Sequence, residues 1–185
     1  NCISPDHLYV HASVREAFVN TLRARIARAF GDGNASPHLS RIVTPAHAAR
    51  LSALIADAMD KGATATLATA QDGQSIGPQL IEGTTPDMRL SREEIFGPIL
   101  PILTYDDLDT VIAEINARDK PLSLYIFDRD RARVDEITRR TTSGAVGVNL
   151  TLVQYSHLNL PFGGVNTSGI GSAHGEAGFR AFSHE

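Results

Sequence analysis

The chain has 185 residues, 42% of them hydrophobic and 21% charged, and it carries a formal net charge of −4. This length and ordinary composition allow one substantial core, which argues against disorder or a fibrous protein. Charges of both signs are interspersed, so the basic patch typical of nucleic-acid binding is missing, and no apolar run reaches the roughly 18–20 residues of a membrane span. The single cysteine excludes an internal disulfide. We therefore expect one soluble, cytoplasmic domain over residues 1–185.

The first half of the chain predicts two helices and three strands. One helix is predicted to start at Ser13, since Ser13 and Glu16 have capping-box spacing, and to end at Gly31 and Gly33. Its predicted apolar face consists of Val14, Phe18, Leu22, Ile26 and Phe30. A second helix is predicted from Thr44 and Pro45, a capping residue followed by a proline suited to the first turn. Strands are predicted at 8–11, 63–68 and 79–82, with a turn at 71–77.

The second half alternates regularly between strands and helices. Strands are predicted at 99–105, 122–127 and 144–148, and helices at 107–117 and 129–141. Strands joined by helical crossovers favour a parallel sheet, so the predicted fold is α/β, an open, mainly parallel twisted sheet with helices on both faces. Residues 149–175 are glycine-rich and lack periodicity, which is typical of a functional loop.

Three sequence islands lie at the start, middle and end of the chain: Asn1-Cys2-Ile3-Ser4-Pro5-Asp6, Glu93-Glu94-Ile95-Phe96-Gly97-Pro98, and residues 160–171, Leu-Pro-Phe-Gly-Gly-Val-Asn-Thr-Ser-Gly-Ile-Gly. In order and spacing, these islands resemble the aldehyde dehydrogenase superfamily. The runs Ile-Leu-Pro-Ile after Pro98 and Ser-Ala-His-Gly after Gly171 are most similar to the class 3 branch and to coniferyl aldehyde dehydrogenases. The resemblance covers essentially the whole chain and identifies it with the catalytic domain of that family.

Cys2 is the candidate nucleophile. A thiolate attacks an aldehyde carbonyl readily, and the thioester that forms after hydride loss can be hydrolysed. The resemblance implies a thiohemiacetal on this sulfur, its oxyanion held partly by the backbone N–H of Cys2. The alternative from the residues alone is a structural thiol that only packs.

Glu94 and Phe96 are the candidate cofactor-binding residues. The resemblance implies that the Glu94 carboxylate accepts hydrogen bonds from the nicotinamide ribose of NAD or NADP and that Phe96 packs near the nicotinamide ring. The alternative is a surface glutamate beside a core phenylalanine before a Gly-Pro turn.

The third island, residues 160–171, is predicted to act mainly through its backbone conformation. Glycines permit positive φ and close approach, so Gly163 and Gly164 would allow the tight bend that presents Phe162 to the aldehyde tunnel. Asn166 stands where the family commonly has glycine, and asparagine tolerates left-handed geometry. Further residues are assigned through the resemblance: Val153 and Tyr155 to the tunnel, Asn149 to the structural loop.

The remaining sequence motifs do not predict a further binding site. Gly169, Gly171 and Gly175 lack the spacing of a dinucleotide fingerprint, and the histidines lack the paired ligands of a zinc site, so no metal is expected. The resemblance places the family's cofactor domain, its oxyanion asparagine and its general-base glutamate ahead of the cysteine. We therefore expect a fragment, inactive alone, of a homodimeric enzyme that oxidises an aldehyde to a carboxylic acid with NAD or NADP. The main alternative is a catalytically dead binding or assembly module; a thiol esterase is weaker, and the particular aldehyde stays open.

Overall fold

The computed structural model describes residues 1–31, 36–67 and 71–184 and shows an α/β protein. The strands are β1 (Leu8–His11), β2 (Thr64–Leu67), β3 (Gln71–Asp72), β4 (Ser75–Ile76), β5 (Gln79–Glu82), β6 (Ile99–Tyr105), β7 (Ser123–Ile126) and β8 (Ala145–Val148). The helices are α1 (Ala12–Phe30), α2 (Pro45–Asp60), α3 (Leu108–Ala117), α4 (Arg131–Arg140), α5 (Val153–Ser156) and α6 (Gly175–Ala181). Two compact units are present: unit A is Pro5–Asp106, and unit B is Asn1–Ser4 with Asp107–Glu185.

Unit A is built on a four-stranded sheet in the order β1-β6-β5-β2. β6 pairs in parallel with β1 and β5, whereas β2 runs antiparallel to β5. Neighbouring residues of β5 contribute to different cores: Ile81 packs with Leu51 and Leu54 of α2, and Leu80 packs with Val19 of α1. Because successive side chains of a strand point to opposite faces, α1 and α2 cover the two faces of this sheet, as predicted.

The start of α1 corrects the predicted capping box. The helix begins at Ala12 because the His11 ring, at the end of β1, supplies the capping acceptor, with its Nδ1 receiving the Ser13 N–H at 3.2 Å. The predicted apolar face is only partly right, since Leu22 and Ile26 pack against the core while Val14 and Phe18 are 54% and 37% exposed.

Of the other predicted boundaries of unit A, those of β1, β5 and β6 are confirmed, whereas β2 begins at Thr64, one residue after the predicted start. Thr44 caps α2, its hydroxyl accepting the His47 N–H at 3.1 Å. The predicted turn at 71–77 contains a short hairpin of β3 and β4. Gly33 and Ala68, to which a helix end and a strand end were assigned, lie outside the described residues.

Unit B contains the parallel pair of β7 and β8, with α4 as the crossover. Of the three strands in the predicted alternating run, β6 therefore pairs with β1 and β5, and β7 pairs with β8. Among the described residues parallel pairing prevails, as predicted. Asp107 and Asp130 directly precede α3 and α4 and cap them, since their carboxylates accept the first free N–H groups. Within the described ranges, no helix is both long and apolar enough to cross a membrane.

Candidate active site

The Cys2 thiol lies at the tip of a tight turn in unit B. The Ser4 N–H donates to the Asn1 carbonyl at 3.1 Å, which puts Cys2 at the second position of a four-residue turn. The side chain of Cys2 is exposed, and its Sγ lies 4.0 Å from Asn1 Oδ1. A thiol in this position is open to an approaching electrophile.

Ile3, the next residue, fixes this turn at three points. Its side chain is 1% exposed, and its N–H donates to Asn1 Oδ1 at 3.3 Å. Its carbonyl accepts a hydrogen bond of 2.7 Å from the Tyr125 hydroxyl on β7. The exposed thiol is thus attached to a residue that is held by its side chain, its N–H and its carbonyl.

The Tyr125 hydroxyl also receives two hydrogen bonds. Gln154 Nε2 donates to it at 2.8 Å and the Leu152 N–H at 3.4 Å. The same Gln154 nitrogen lies 3.3 Å from Ser123 Oγ, on the same face of β7 as Tyr125. One phenolic oxygen therefore joins the Cys2 turn to the start of α5.

Glu94 and Phe96 lie in unit A, on a loop whose backbone is held by α2. Arg50 donates through Nη1 to the Glu94 carbonyl at 3.1 Å and through Nη2 to the Ile95 carbonyl. His47 Nε2 donates to the Phe96 carbonyl at 2.9 Å; a carbonyl only accepts, so this nitrogen carries the proton. From the other side, the Ile95 N–H donates to Asp6 Oδ1 at 3.0 Å.

This anchoring accompanies an unusual backbone at Phe96, where φ is +50°. A left-handed conformation at a non-glycine residue costs about 1–3 kcal/mol and persists where neighbouring contacts over-determine it. Both Glu94 and Phe96 have exposed side chains, with Phe96 at 51%. The neighbouring Glu93 is tied to Arg89, whose hydrogen bond lowers the pKa of the Glu93 carboxyl.

An aromatic group in unit B consists of Tyr155, Phe162 and His174. Phe162 stacks on His174 at a centroid distance of 5.6 Å and meets the edge of Tyr155 at 5.2 Å. Reciprocal backbone hydrogen bonds between Phe162 and Ala173 bring these two segments together. His174 Nδ1 is buried without a hydrogen-bond partner in the described parts of the chain. Val153, on the same one-turn helix as Tyr155, is 53% exposed.

The two glycines after Phe162 serve close approach alone. A Cβ on Gly163 would lie 2.1 Å from the Gly171 carbonyl oxygen, and one on Gly164 would lie 2.1 Å from that of Ser168. Neither glycine has a positive φ, so that part of the prediction is wrong: the crowding of neighbouring backbone selects glycine here. Asn166 does take up the left-handed geometry predicted for it, with φ +54°.

Asn149 links the ends of β7 and β8. Its Oδ1 accepts the Asp128 N–H at 3.0 Å, and its Nδ2 donates to the Asp128 carbonyl at 2.9 Å. Its own φ is +56°. The side chain thus replaces backbone pairing just beyond the strands, where the chain turns toward α5.

Several residues that hold these segments within each unit were missed by sequence reasoning: Asp6, His47 and Arg50 in unit A, and Tyr125, Gln154 and the ring contacts of His174 in unit B. Two signals existed. His47 and Arg50 are three apart on a predicted helix and so share a face, and Ser123 and Tyr125 are two apart on a predicted strand. Neither spacing predicts which distant backbone carbonyl the Arg50, His47 or Tyr125 side chain binds. Within residues 1–31, 36–67 and 71–184, no group of three His, Cys, Asp or Glu side chains is placed to hold a metal ion.

These features define an α/β domain with an exposed thiol on an anchored turn and an exposed Glu-x-Phe loop. The model of the aldehyde dehydrogenase family matches residues 1–185, and the chain belongs to that family. It is 41% identical over its whole length to the putative aldehyde dehydrogenase AldX of Bacillus subtilis, covering 42% of that protein. It is 38% identical over 99% of its length to a probable coniferyl aldehyde dehydrogenase of Caulobacter vibrioides, covering 39% of it.

The fold is likewise that of a solved family member. A substrate-bound structure of Staphylococcus aureus AldH superposes with a TM-score of 0.93 at 37% identity, covering 100% of this chain and 40% of that one. The predicted resemblance to the class 3 and coniferyl aldehyde dehydrogenase branch is confirmed by relatives bearing those names. The chain thus spans about two fifths of the length of the relatives it matches.

Proposed function

We propose that the enzyme containing this chain oxidises an aldehyde to a carboxylic acid with NAD or NADP, with Cys2 as the nucleophile. The observation that carries the proposal is the exposed Cys2 thiol on a turn fixed by buried Ile3, in a chain that matches the aldehyde dehydrogenase family from end to end. An exposed thiol alone is common; one on a rigid backbone suits covalent catalysis.

The chemistry assigned to this turn is addition followed by oxidation. The thiolate sulfur forms a bond to the aldehyde carbon, and the carbonyl π electrons move to oxygen, where the Cys2 N–H stabilises the negative charge. Loss of hydride from that carbon leaves a thioester, and water then cleaves the carbon–sulfur bond to release the acid and the thiolate.

Glu94 and Phe96 fit the role of cofactor-binding residues. Their side chains are exposed on a loop that Arg50 and His47 hold by its backbone, so a carboxylate acceptor and an aromatic face are both available. We assign Glu94 to the ribose hydroxyls and Phe96 to the nicotinamide. When bound, the nicotinamide supplies the hydride acceptor.

The substrate class we propose is an apolar or aromatic aldehyde. Tyr155 and Phe162 lie edge to face, Val153 is exposed on the same helix as Tyr155, and a relative is named for coniferyl aldehyde. Aromatic surfaces pack well against apolar or aromatic side chains of a ligand. The structural loop of Gly163, Gly164 and Asn149 supports this surface. A homodimer is proposed on the resemblance alone, and cytoplasmic localisation stays a prediction.

The experiment uses the full-length enzyme and its Cys2→Ser variant with a panel of aliphatic and aromatic aldehydes. The absorbance of reduced nicotinamide should rise with the wild type. Its rate of increase should be lower by roughly 10³-fold or more in the variant, because a serine hydroxyl is a far weaker nucleophile than a thiolate. Ser40→Ala, at an exposed serine of unit A, should match the wild type. No signal from the wild type with any aldehyde would refute the oxidoreductase and favour the binding module.

A further inference from the structure

The hydroxyl of Tyr125 has all of its hydrogen-bonding capacity engaged. It has one hydrogen and two lone pairs. The Ile3 carbonyl only accepts, so the hydrogen points there at 2.7 Å, while the Gln154 amide and the Leu152 N–H occupy the lone pairs. A group with every position engaged has one orientation.

Gln154 is oriented by the same network. Its Nε2 serves both Tyr125 and Ser123, whereas its Oε1 is buried without a partner in the described ranges. A buried acceptor without a donor is unfavourable. Turning the amide over would put its oxygen against a phenol whose only hydrogen already binds Ile3. The amide is therefore held here for its donor side.

The neighbouring strand β8 also leaves space for the Tyr125 ring. Gly147 of β8 is directly opposite Tyr125, and a Cβ there would lie 2.7 Å from Cδ1 of the ring. A glycine in a strand marks close approach of another group. Space for the ring is thus created at the residue that faces it.

We infer that Tyr125, supported by Gln154, is a positioning residue that orients the Cys2 turn relative to α5, the helix that carries Val153 and Tyr155. This rests on the proposed function of Cys2 as nucleophile. Ile3 directly follows Cys2 in the chain, so holding the Ile3 carbonyl limits rotation of the backbone that aims the Cys2 thiol and the Cys2 N–H. The phenol does not touch the substrate. It sets the direction of the group that does.

The test is Tyr125→Phe in the full-length enzyme, which keeps the ring and removes the oxygen. We expect the burst of reduced nicotinamide and kcat to fall about tenfold while the KM for the cofactor stays within twofold. The rate at which iodoacetamide alkylates Cys2 should also stay within twofold of the wild-type rate, because this reaction needs an exposed thiol and not an oriented one. Tyr105→Phe is the matched control: Tyr105 ends β6 in unit A, and it should behave as wild type.

Two further measurements separate positioning from general stability. Gln154→Met should lower the burst about threefold, and the double variant should be no slower than Tyr125→Phe alone, since both act through one oxygen. Amide hydrogen exchange of residues 1–7 should be about tenfold faster in Tyr125→Phe, at an unchanged melting temperature.

The outcomes are distinguishable from failure of the proposed function. A burst within twofold of wild type in folded Tyr125→Phe, effects of the two substitutions that multiply, or unchanged exchange of residues 1–7 would each overturn the inference. A wild-type enzyme without aldehyde oxidation, but with faster exchange in the variant, would refute the proposed function and support the anchoring of the turn.

Discussion

Replacing Arg50 with methionine tests whether α2 controls cofactor binding through the backbone of the Glu94–Phe96 loop. Arg50 makes two charge-assisted hydrogen bonds, to the Glu94 and Ile95 carbonyls, worth at least about 3 kcal/mol together. The left-handed backbone of Phe96 costs about 1–3 kcal/mol. Without Arg50, the His47 and Asp6 contacts remain, at about 2–4 kcal/mol together, so the stabilisation and the strain nearly balance.

The loop should then populate other conformations, and the Kd of the cofactor should rise about two- to sixfold. Binding draws on the competent fraction only, which is about one half where contacts and strain balance and about one sixth where the strain is about 1 kcal/mol larger. Fluorescence titration of the full-length enzyme with NAD and NADP measures this. Arg50→Lys should recover part of the affinity because an ammonium reaches one carbonyl. Arg25→Met, at an exposed arginine of α1, is the control. A Kd equal to that of the wild type in a folded Arg50→Met enzyme would show that the loop holds its shape without Arg50.

Two other predictions concern stability. Gly163→Ala should lower the free energy of unfolding, measured by urea denaturation, by at least about 2 kcal/mol, because the added Cβ would overlap the Gly171 carbonyl oxygen. Gly178→Ala is the control and should be tolerated, since its Cβ would have its nearest contact at 3.4 Å. Equal stability of the two variants would contradict this. Asp107→Asn should flatten the acid side of the stability profile: the hydrogen bond from Thr110 lowers the pKa of the Asp107 carboxyl, so its stabilisation is present above the unfolded-state pKa and is lost as pH falls through the folded-state pKa. Thermal melts of both proteins between pH 7 and about pH 2 measure this, and parallel profiles would be the contrary result.

Local elements of this fold were predictable because their signals are local. β1, β5 and β6 have the predicted bounds. β5 and β6 each follow a Gly-Pro pair, Gly77-Pro78 and Gly97-Pro98, and such turn residues mark the start of a strand in the local sequence. The Thr44 cap was found for the same reason. The start of α1 was predicted wrongly because the capping acceptor is His11, two residues before the predicted Ser13, and histidine is not among the preferred capping residues.

The anchors of the candidate site were not predictable in this way. Tyr125 binds a carbonyl 122 positions away, and Arg50 binds carbonyls 44 and 45 positions away. Periodicity reveals which face of an element a side chain occupies, but the partner on that face depends on how distant segments pair. A backbone carbonyl, moreover, carries no residue-specific signal, because every residue has one.

The anchoring hydrogen bonds at Cys2 and at the Glu94–Phe96 loop have one feature in common. The residues assigned to chemistry, Cys2, Glu94 and Phe96, keep exposed side chains, and their positions are fixed through backbone groups of the same or the adjacent residue. A side chain tied up in its own hydrogen bonds would have to release them before it met substrate or cofactor, which opposes binding. Holding the carbonyl instead limits motion while leaving the side chain available. Substitution at an anchor should therefore reduce activity with the reactive side chain still in place, and restoring the single lost donor should restore it.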